Sequence, residues 1–220
     1  MNKPSTQSPG LGIGVVLLAG LLLGFCPSGA HSQANNSCGD LRNGYGPFDY
    51  RKDKTKLPIV EDSHFTPPVE ALLRGVSGPI GAELDYTLRA FPNHHRALMA
   101  MIRLSVKAKT VKPAGALYTV ECYLDRAVRF APDDTVVRLI FARHLGQTGQ
   151  KEQALNQMSV AVKQAGDNPL SHFNIGLIYI ELGQYEEALT QAHQLIAMDY
   201  ERPELRKQLE EAGKWRDPPP

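Results

Sequence analysis

The chain has 220 residues, and its 24 basic and 23 acidic side chains leave a formal net charge of +1. A balance this close to neutral gives no overall electrostatic case for binding nucleic acid or an anionic membrane surface. The chain has one short apolar run near the start and no other apolar stretch long enough to cross a bilayer. The chain is long enough to build one domain around one core.

Residues 1–34 are typical of a secretory signal peptide. The uncharged apolar run Leu11–Phe25 is shorter than the roughly 20 residues of a membrane span, and small residues follow it. We expect cleavage after Ala34, with Ala30 as the second choice. Cys26 leaves a lipoprotein alternative open, although the bulky Phe25 before it argues against one, and an uncleaved anchor is a further alternative. The protein is therefore expected in the periplasm or secreted, with membrane contact only through this segment if it is retained.

Two cysteines remain after cleavage, Cys38 and Cys122. A pair of cysteines in an exported protein predicts one disulfide. The alternative is a buried Cys122 packed on its helix and a free Cys38 near the terminus.

Residues 35–60 form a loop-rich N-terminal segment. The stretch 38–51 is rich in glycine and aromatic residues and has neither a helical nor a strand period. Because Tyr45, Phe48 and Tyr50 can anchor it, we expect an ordered loop rather than disorder. Asn35, with Ser37 two residues later, matches a glycosylation sequon, which matters only in a eukaryotic source.

The rest of the chain has helical periodicity throughout, and part of its pattern repeats. Gly149-Gln150 and Ala154-Leu155 recur as Gly183-Gln184 and Ala188-Leu189, about 34 residues later. Breakers at Pro113 and Gly115 interrupt the preceding copy. The predicted units are degenerate half-repeat helices in residues 61–92, a repeat with an insertion in 93–134, repeats in 135–168 and 169–202, and a capping helix with a Pro-rich tail in 203–220.

The best-defined unit, residues 169–202, is similar to a tetratricopeptide repeat (TPR). Asn168 and Pro169 suit a helix N-cap and first helical position, and Gly183 suits a tight turn. The family's remaining signature positions are matched by Gly176, Tyr179, Tyr185 and Ala188. His172 stands where the family usually has Trp, and Tyr200 where it usually has Pro. The resemblance implies an all-α solenoid of helical hairpins, in which small Gly176 lies against small Ala188.

A wider resemblance covers the loop at Cys38–Leu41, the helix at Asp85–Leu88 and the junction Phe91–His95. Together these resemble a group of exported bacterial TPR proteins. The resemblance implies a periplasmic protein and supplies no activity.

Catalytic and metal chemistry find little support. Neighbouring side chains on a helix point about 100° apart, so His94 and His95 cannot share a face, and we expect them to pack and cap a helix junction. His64 lies among Glu61, Asp62, Ser63 and Thr66, but a nucleophile and its base must be oriented by the fold rather than by adjacency. No phosphate loop, zinc-spaced cysteine pair or His-Glu metal motif is present. We therefore expect no catalytic site, metal or cofactor.

A binding groove is implied by the resemblance, because the first helix of each TPR hairpin lines a concave surface on which partners lie. Its basic members Arg96, Arg103 and Lys107 recur at helical spacing and share one face. The alternative is a solvated face with ordinary surface charges. The residues that transfer to this groove are Arg96, Met99, Arg103, Lys107, Leu139, Arg143, Phe173, Asn174 and Leu177.

These features predict a non-catalytic periplasmic adaptor that binds a protein or peptide, with an acidic segment or a C-terminal carboxylate facing the cations. One alternative is an envelope-assembly accessory protein that binds a polysaccharide or a membrane complex. A further alternative is an enzyme that uses the His64 region.

Overall fold

The computed structural model describes residues 38–200 and 202–218, and this part of the chain is helical without any strand. The predicted all-α class is confirmed. A short 3-10 helix at Lys54–Lys56 precedes the first α-helix. The α-helices of the described part are α1 (Leu57–His64), α2 (Pro67–Glu70), α3 (Ile80–Ala90), α4 (His95–Ala108), α5 (Val120–Phe130), α6 (Thr135–Gln147), α7 (Lys151–Ala165), α8 (Pro169–Glu181), α9 (Tyr185–Ala197) and α10 (Pro203–Glu211).

The predicted signal peptide, its cleavage sites, Cys26 and the sequon at Asn35 lie outside the described residues. Residues 35–220 form one compact unit. Within the described residues, no helix is both long and apolar enough to cross a membrane.

Four helices begin at a side-chain cap. His94, Thr119, Asp134 and Asn168 each accept a hydrogen bond from the backbone N–H three residues later. That bond satisfies one of the amide groups that a helix start leaves without an intrahelical partner. The predicted cap at Asn168 and first helical position at Pro169 are confirmed.

The turns inside the two C-terminal hairpins depend on glycine. Gly149 and Gly183 have φ of +80° and +70°, a backbone conformation that glycine adopts without steric cost. They separate α6 from α7 and α8 from α9. The predicted turn at Gly183 and its earlier copy at Gly149 are therefore present.

The helices pack in two rows. Helices α4, α6, α8 and α10 contact one another in succession and form the first row. Helices α3, α5, α7 and α9 each pack against the next first-row helix, while α6–α7 and α8–α9 pair along their lengths. Ala154 and Ala188, which share a position in the repeat, are fully buried. A Cβ on Gly176 would meet Leu205 of α10 at 2.5 Å and Gln191 of α9 at 3.4 Å, so glycine at this position lets α10 pack closely on α8, and the expected contact with Ala188 stays a prediction.

The N-terminal loop is ordered and joined to α5 by a disulfide and hydrogen bonds. Cys38 and Cys122 form the predicted disulfide, with a Cα–Cα distance of 5.0 Å, and the alternative of two separate cysteines is wrong. Buried Arg126 donates to the carbonyl oxygens of Cys38 (3.1 Å) and Asp40 (2.6 Å). Further along the loop, the Phe48 ring lies 4.9 Å from Tyr45 and 5.5 Å from Phe91. The aromatic anchors predicted for this loop therefore reach the helical core.

Candidate functional site

The exposed surface of the first row is the candidate site, and we call it the row face. Counting from the N-caps His94, Asp134 and Asn168 identifies equivalent positions on α4, α6 and α8. The equivalent side chains are Arg96, Val136 and Leu170 at the second position, Met99, Leu139 and Phe173 at the fifth, Arg103, Arg143 and Leu177 at the ninth, and Lys107, Gln147 and Glu181 at the thirteenth.

The three cations on α4 all face α2 and the residues that follow it. Arg96 Nε donates to Glu70 Oε1 (2.8 Å), and a second guanidinium nitrogen contacts Glu70 Oε2. Arg103 donates to the Glu70 carbonyl oxygen (3.1 Å), and Lys107 Nζ donates to the Leu72 carbonyl oxygen (3.1 Å). The hydrogen bond and charge of Arg96 hold the pKa of the Glu70 carboxyl below its ordinary value, against the opposing effect of burial. The predicted basic cluster therefore already holds a carboxylate of the same chain.

The fourth predicted cation links two helices of the row. Arg143 Nε on α6 donates to Glu181 Oε2 on α8 at 2.9 Å. Both side chains are about half exposed. The pair shows that the ninth position of α6 and the thirteenth of α8 share one surface.

The apolar members divide into exposed and buried side chains. Met99, Val136 and Leu170 are exposed large hydrophobics. Leu139 is only 6% exposed and belongs to the core, so it does not line an open groove as expected. The residues Phe173, Asn174 and Leu177 are partly buried on α8.

A cleft of about 430 Å³ lies between α9, α10 and the tail, next to the α8 end of the row face. The guanidinium of Arg202 lies 5.6 Å from the Phe173 ring centre and so connects the row face to this cleft. Arg206 lies 4.7 Å from the Trp215 ring centre. The sequence reasoning missed these residues, although Tyr200 at a position where proline is usual, and the single Trp after the last helix, are signals that could have found them. The other lining residues are Ala192, Leu195, Ile196, Asp199, Pro203 and Leu205.

The histidines have structural partners. His94 Nδ1 accepts the Ala97 N–H (3.1 Å), while Nε2 lies 3.0 Å from Glu61 Oε1. An acceptor at Nδ1 requires the neutral ring with its proton on Nε2, and burial lowers the pKa of His94 to about 3. His95 contacts Asp134, the cap of α6, at 2.9 Å. The expected packing and capping roles of this pair are confirmed.

His64 lies beside a buried carboxylate. Its Nδ1 is 2.7 Å from Glu83 Oε2, and its ring stacks on Tyr86 with centres 3.9 Å apart. Ser77 donates its N–H and its hydroxyl to the other oxygen of Glu83. This hydroxyl belongs to the loop between α2 and α3, and it is not one of the groups that lie near His64 in the sequence. Through Glu83 at the start of α3, these contacts join the end of α1 to the loop between α2 and α3.

Within the described residues, no three His, Cys, Asp or Glu side chains are grouped as a metal ion would need. Comparison of the chain with protein-family models, curated proteins and solved structures gave no match.

Proposed function

We propose that this chain is a non-catalytic, exported helical-repeat protein of the TPR type, and that it binds an extended segment of another protein along the row face. The repeat assignment is supported by the matched N-caps, the two glycine turns and the two-row packing. Export is supported by the sequence of residues 1–34 and, weakly, by the disulfide, since such bonds persist in oxidising compartments.

The observation that carries the proposal is the arrangement of side chains on the row face. Exposed apolar groups at equivalent positions, Val136 on α6 and Leu170 on α8, alternate with half-exposed charged groups such as Arg143. An extended peptide lying across successive helices would contact one such group on each. Buried apolar contacts set how long a segment stays bound, while charges set its orientation and rate of arrival.

The cations of the row face determine which chemical groups of a partner would bind there. Arg143 holds Glu181 in an exposed pair, and an exposed pair contributes only about 0–1 kcal/mol. An acidic side chain or C-terminal carboxylate of a partner would therefore exchange with Glu181 at small cost, whereas Arg96 holds the partly buried Glu70. Because an arginine fork binds a carboxylate with two parallel hydrogen bonds, the site favours carboxylate over isolated negative charge.

Selection from a random peptide library on the immobilised chain, followed by fluorescence anisotropy with the selected peptide, tests the proposal. Val136→Ser/Leu170→Ser should weaken binding at least tenfold, since fully burying one such side chain contributes roughly 1.5–3 kcal/mol. Ile59→Ser/Leu117→Ser removes two similarly exposed apolar groups, one on α1 and one between α4 and α5, and should leave affinity unchanged. Equal losses in both variants, or no selectable peptide, would reject the row face as a binding site.

A further inference from the structure

Exposed apolar and basic side chains lie together around the last turn of α4, at the end opposite its N-cap His94. We call this region the basic-apolar end. It comprises the loop at residues 73–79, the last turn of α4 and the connection at residues 109–119. Its members are Leu73, Arg74, Val76, Val106, Lys107, Lys109, Val111, Lys112 and Leu117.

Hydrogen bonds and close packing bring these three segments together. Lys107 Nζ donates to the Leu72 carbonyl oxygen at 3.1 Å, which places the end of α4 beside the loop. The Leu117 N–H donates to Asp85 Oδ1 at 3.2 Å, which fixes the connection against α3. A Cβ on Gly81 would lie 2.3 Å from the Ala114 carbonyl oxygen, so the start of α3 and the connection are in direct contact.

The apolar members are unusually exposed. Leu73 is 76% exposed, and Val106 and Val111 are each 72% exposed. Single exposed hydrophobics are ordinary on a protein surface, but a group of them at one place marks an interaction site. Nothing in the interior packing of the described residues requires these side chains to be apolar.

The charge of this end is one-sided although the whole chain is nearly neutral. Residues 71–82 and residues 96–120 contain no acidic residue. Glu83 and Glu121 follow directly after these two stretches. Of the acids that border these stretches, Glu83 is buried and bonded to His64 and Ser77, Glu70 is partly buried and paired with Arg96, and Glu121 is exposed. The net charge of the chain conceals this local excess of positive charge.

We propose that the basic-apolar end docks on an anionic phospholipid surface. Valine and leucine side chains would enter the boundary between headgroups and acyl chains, while lysine and arginine, on long aliphatic stems, reach the phosphates. The apolar side chains come from two loops and the last turn of α4, and each of them is more than half exposed. The aromatic ring of the connection, Tyr118, packs against Arg126 at 4.5 Å and Tyr123 at 5.6 Å, so it is not open for a nucleic-acid base to stack on. A bilayer is the partner that uses both kinds of side chain at once.

Cosedimentation with vesicles tests the proposal. The chain without its first 34 residues is suitable, because residues 35–220 are a compact unit and the apolar run Leu11–Phe25 would otherwise bind lipid by itself. We expect binding to vesicles that contain phosphatidylglycerol and much weaker binding to phosphatidylcholine alone. Arg74→Gln/Lys109→Gln/Lys112→Gln should lower the partition coefficient roughly a hundredfold, about fivefold for each cation near the surface.

The matched control is Lys56→Gln/Lys163→Gln/Lys207→Gln, which removes the same charge from exposed positions elsewhere and should bind like the parent. Insertion into the bilayer is measured separately by tryptophan fluorescence. The variant Val111→Trp/Trp215→Phe places the chain's only tryptophan at this end, and its fluorescence emission should shift to the blue with phosphatidylglycerol vesicles. Equal partition into both lipids, or equal losses in both triple variants, would overturn the proposal. Binding to soluble polyglutamate with no emission shift on vesicles would also overturn it and would point to an acidic protein as the partner.

Discussion

Arg143 on α6 and Glu181 on α8 form an exposed ion pair across the row face, with 2.9 Å between Nη2 and Oε1. The pair holds the guanidinium extended over the surface where a partner would lie. Such a pair contributes little to stability, and under the proposed function a partner's carboxylate would compete with that of Glu181 for Arg143.

Removing this competition should strengthen binding. We expect Glu181→Gln to tighten binding of an acidic peptide about threefold and Arg143→Gln to weaken it by a similar factor, which corresponds to the strength of an exposed pair. Glu187→Gln, an equal charge change on the exposed side of α9, serves as the control in anisotropy titrations. If Glu181→Gln and Glu187→Gln have the same effect, the pair does not compete with the partner.

The disulfide closes a long loop, because Cys38 and Cys122 are 84 residues apart. In chain-entropy terms it should stabilise the fold by about 4 kcal/mol, by restricting the unfolded chain. Urea unfolding of Cys38→Ser/Cys122→Ser should therefore show a large drop in midpoint, and added reductant should lower the parent to a similar value. If the urea midpoint of the parent protein does not change when reductant is added, this prediction is wrong.

His94 should make the protein sensitive to mild acid. Its native pKa is lowered to about 3 by burial, whereas the unfolded chain binds a proton there near pH 6.5. The unfolded state therefore binds more protons as pH falls below about 6.5, and the free energy of unfolding should drop by up to about 1.4 kcal/mol per pH unit.

The variant His94→Asn keeps a capping oxygen and removes the titrating group. Between about pH 6.5 and 5, above the range where carboxyl groups titrate, its free energy of unfolding should fall less steeply than that of the parent. Burial also lowers the pKa of His144, but His144 is common to both proteins, so the difference in slope belongs to His94. Identical slopes would show that His94 is protonated in the folded protein as readily as in the unfolded one.

Asn93 joins the N-terminal loop to the first row and is fully buried. Its side chain accepts from the Tyr50 N–H (2.9 Å) and donates to Asp49 (2.8 Å) and Asp134 (2.9 Å). Asn93→Ala should cost about 2–4 kcal/mol in unfolding experiments, because buried partners lose their hydrogen bonds. Asn156→Ala, at an exposed position, should be near neutral, and a similar loss there would deny Asn93 any special role.

Local signals predicted the helices well, because caps such as Asn168 and turns such as Gly183 act within a few residues. They did not predict that Arg96 pairs with Glu70, 26 residues away, since α2 has only four residues and no periodicity. Helical spacing also placed Leu139 on the row face, but spacing cannot tell which part of a face the next helix covers. Tyr200 and Trp215 mark the residues of the cleft beside Arg202, but local patterns do not predict that the tail packs against α9 and α10 to form it.

Photo-crosslinking inside the cell tests the row face most directly. A photoreactive phenylalanine analogue at Val136 or at Leu170 should give one covalent adduct with the same partner protein, since both side chains are exposed on neighbouring helices of the row. The same analogue at Ile59, away from the row face, should give none. Adducts from Ile59 with none from Val136 or Leu170 would contradict the proposed binding surface.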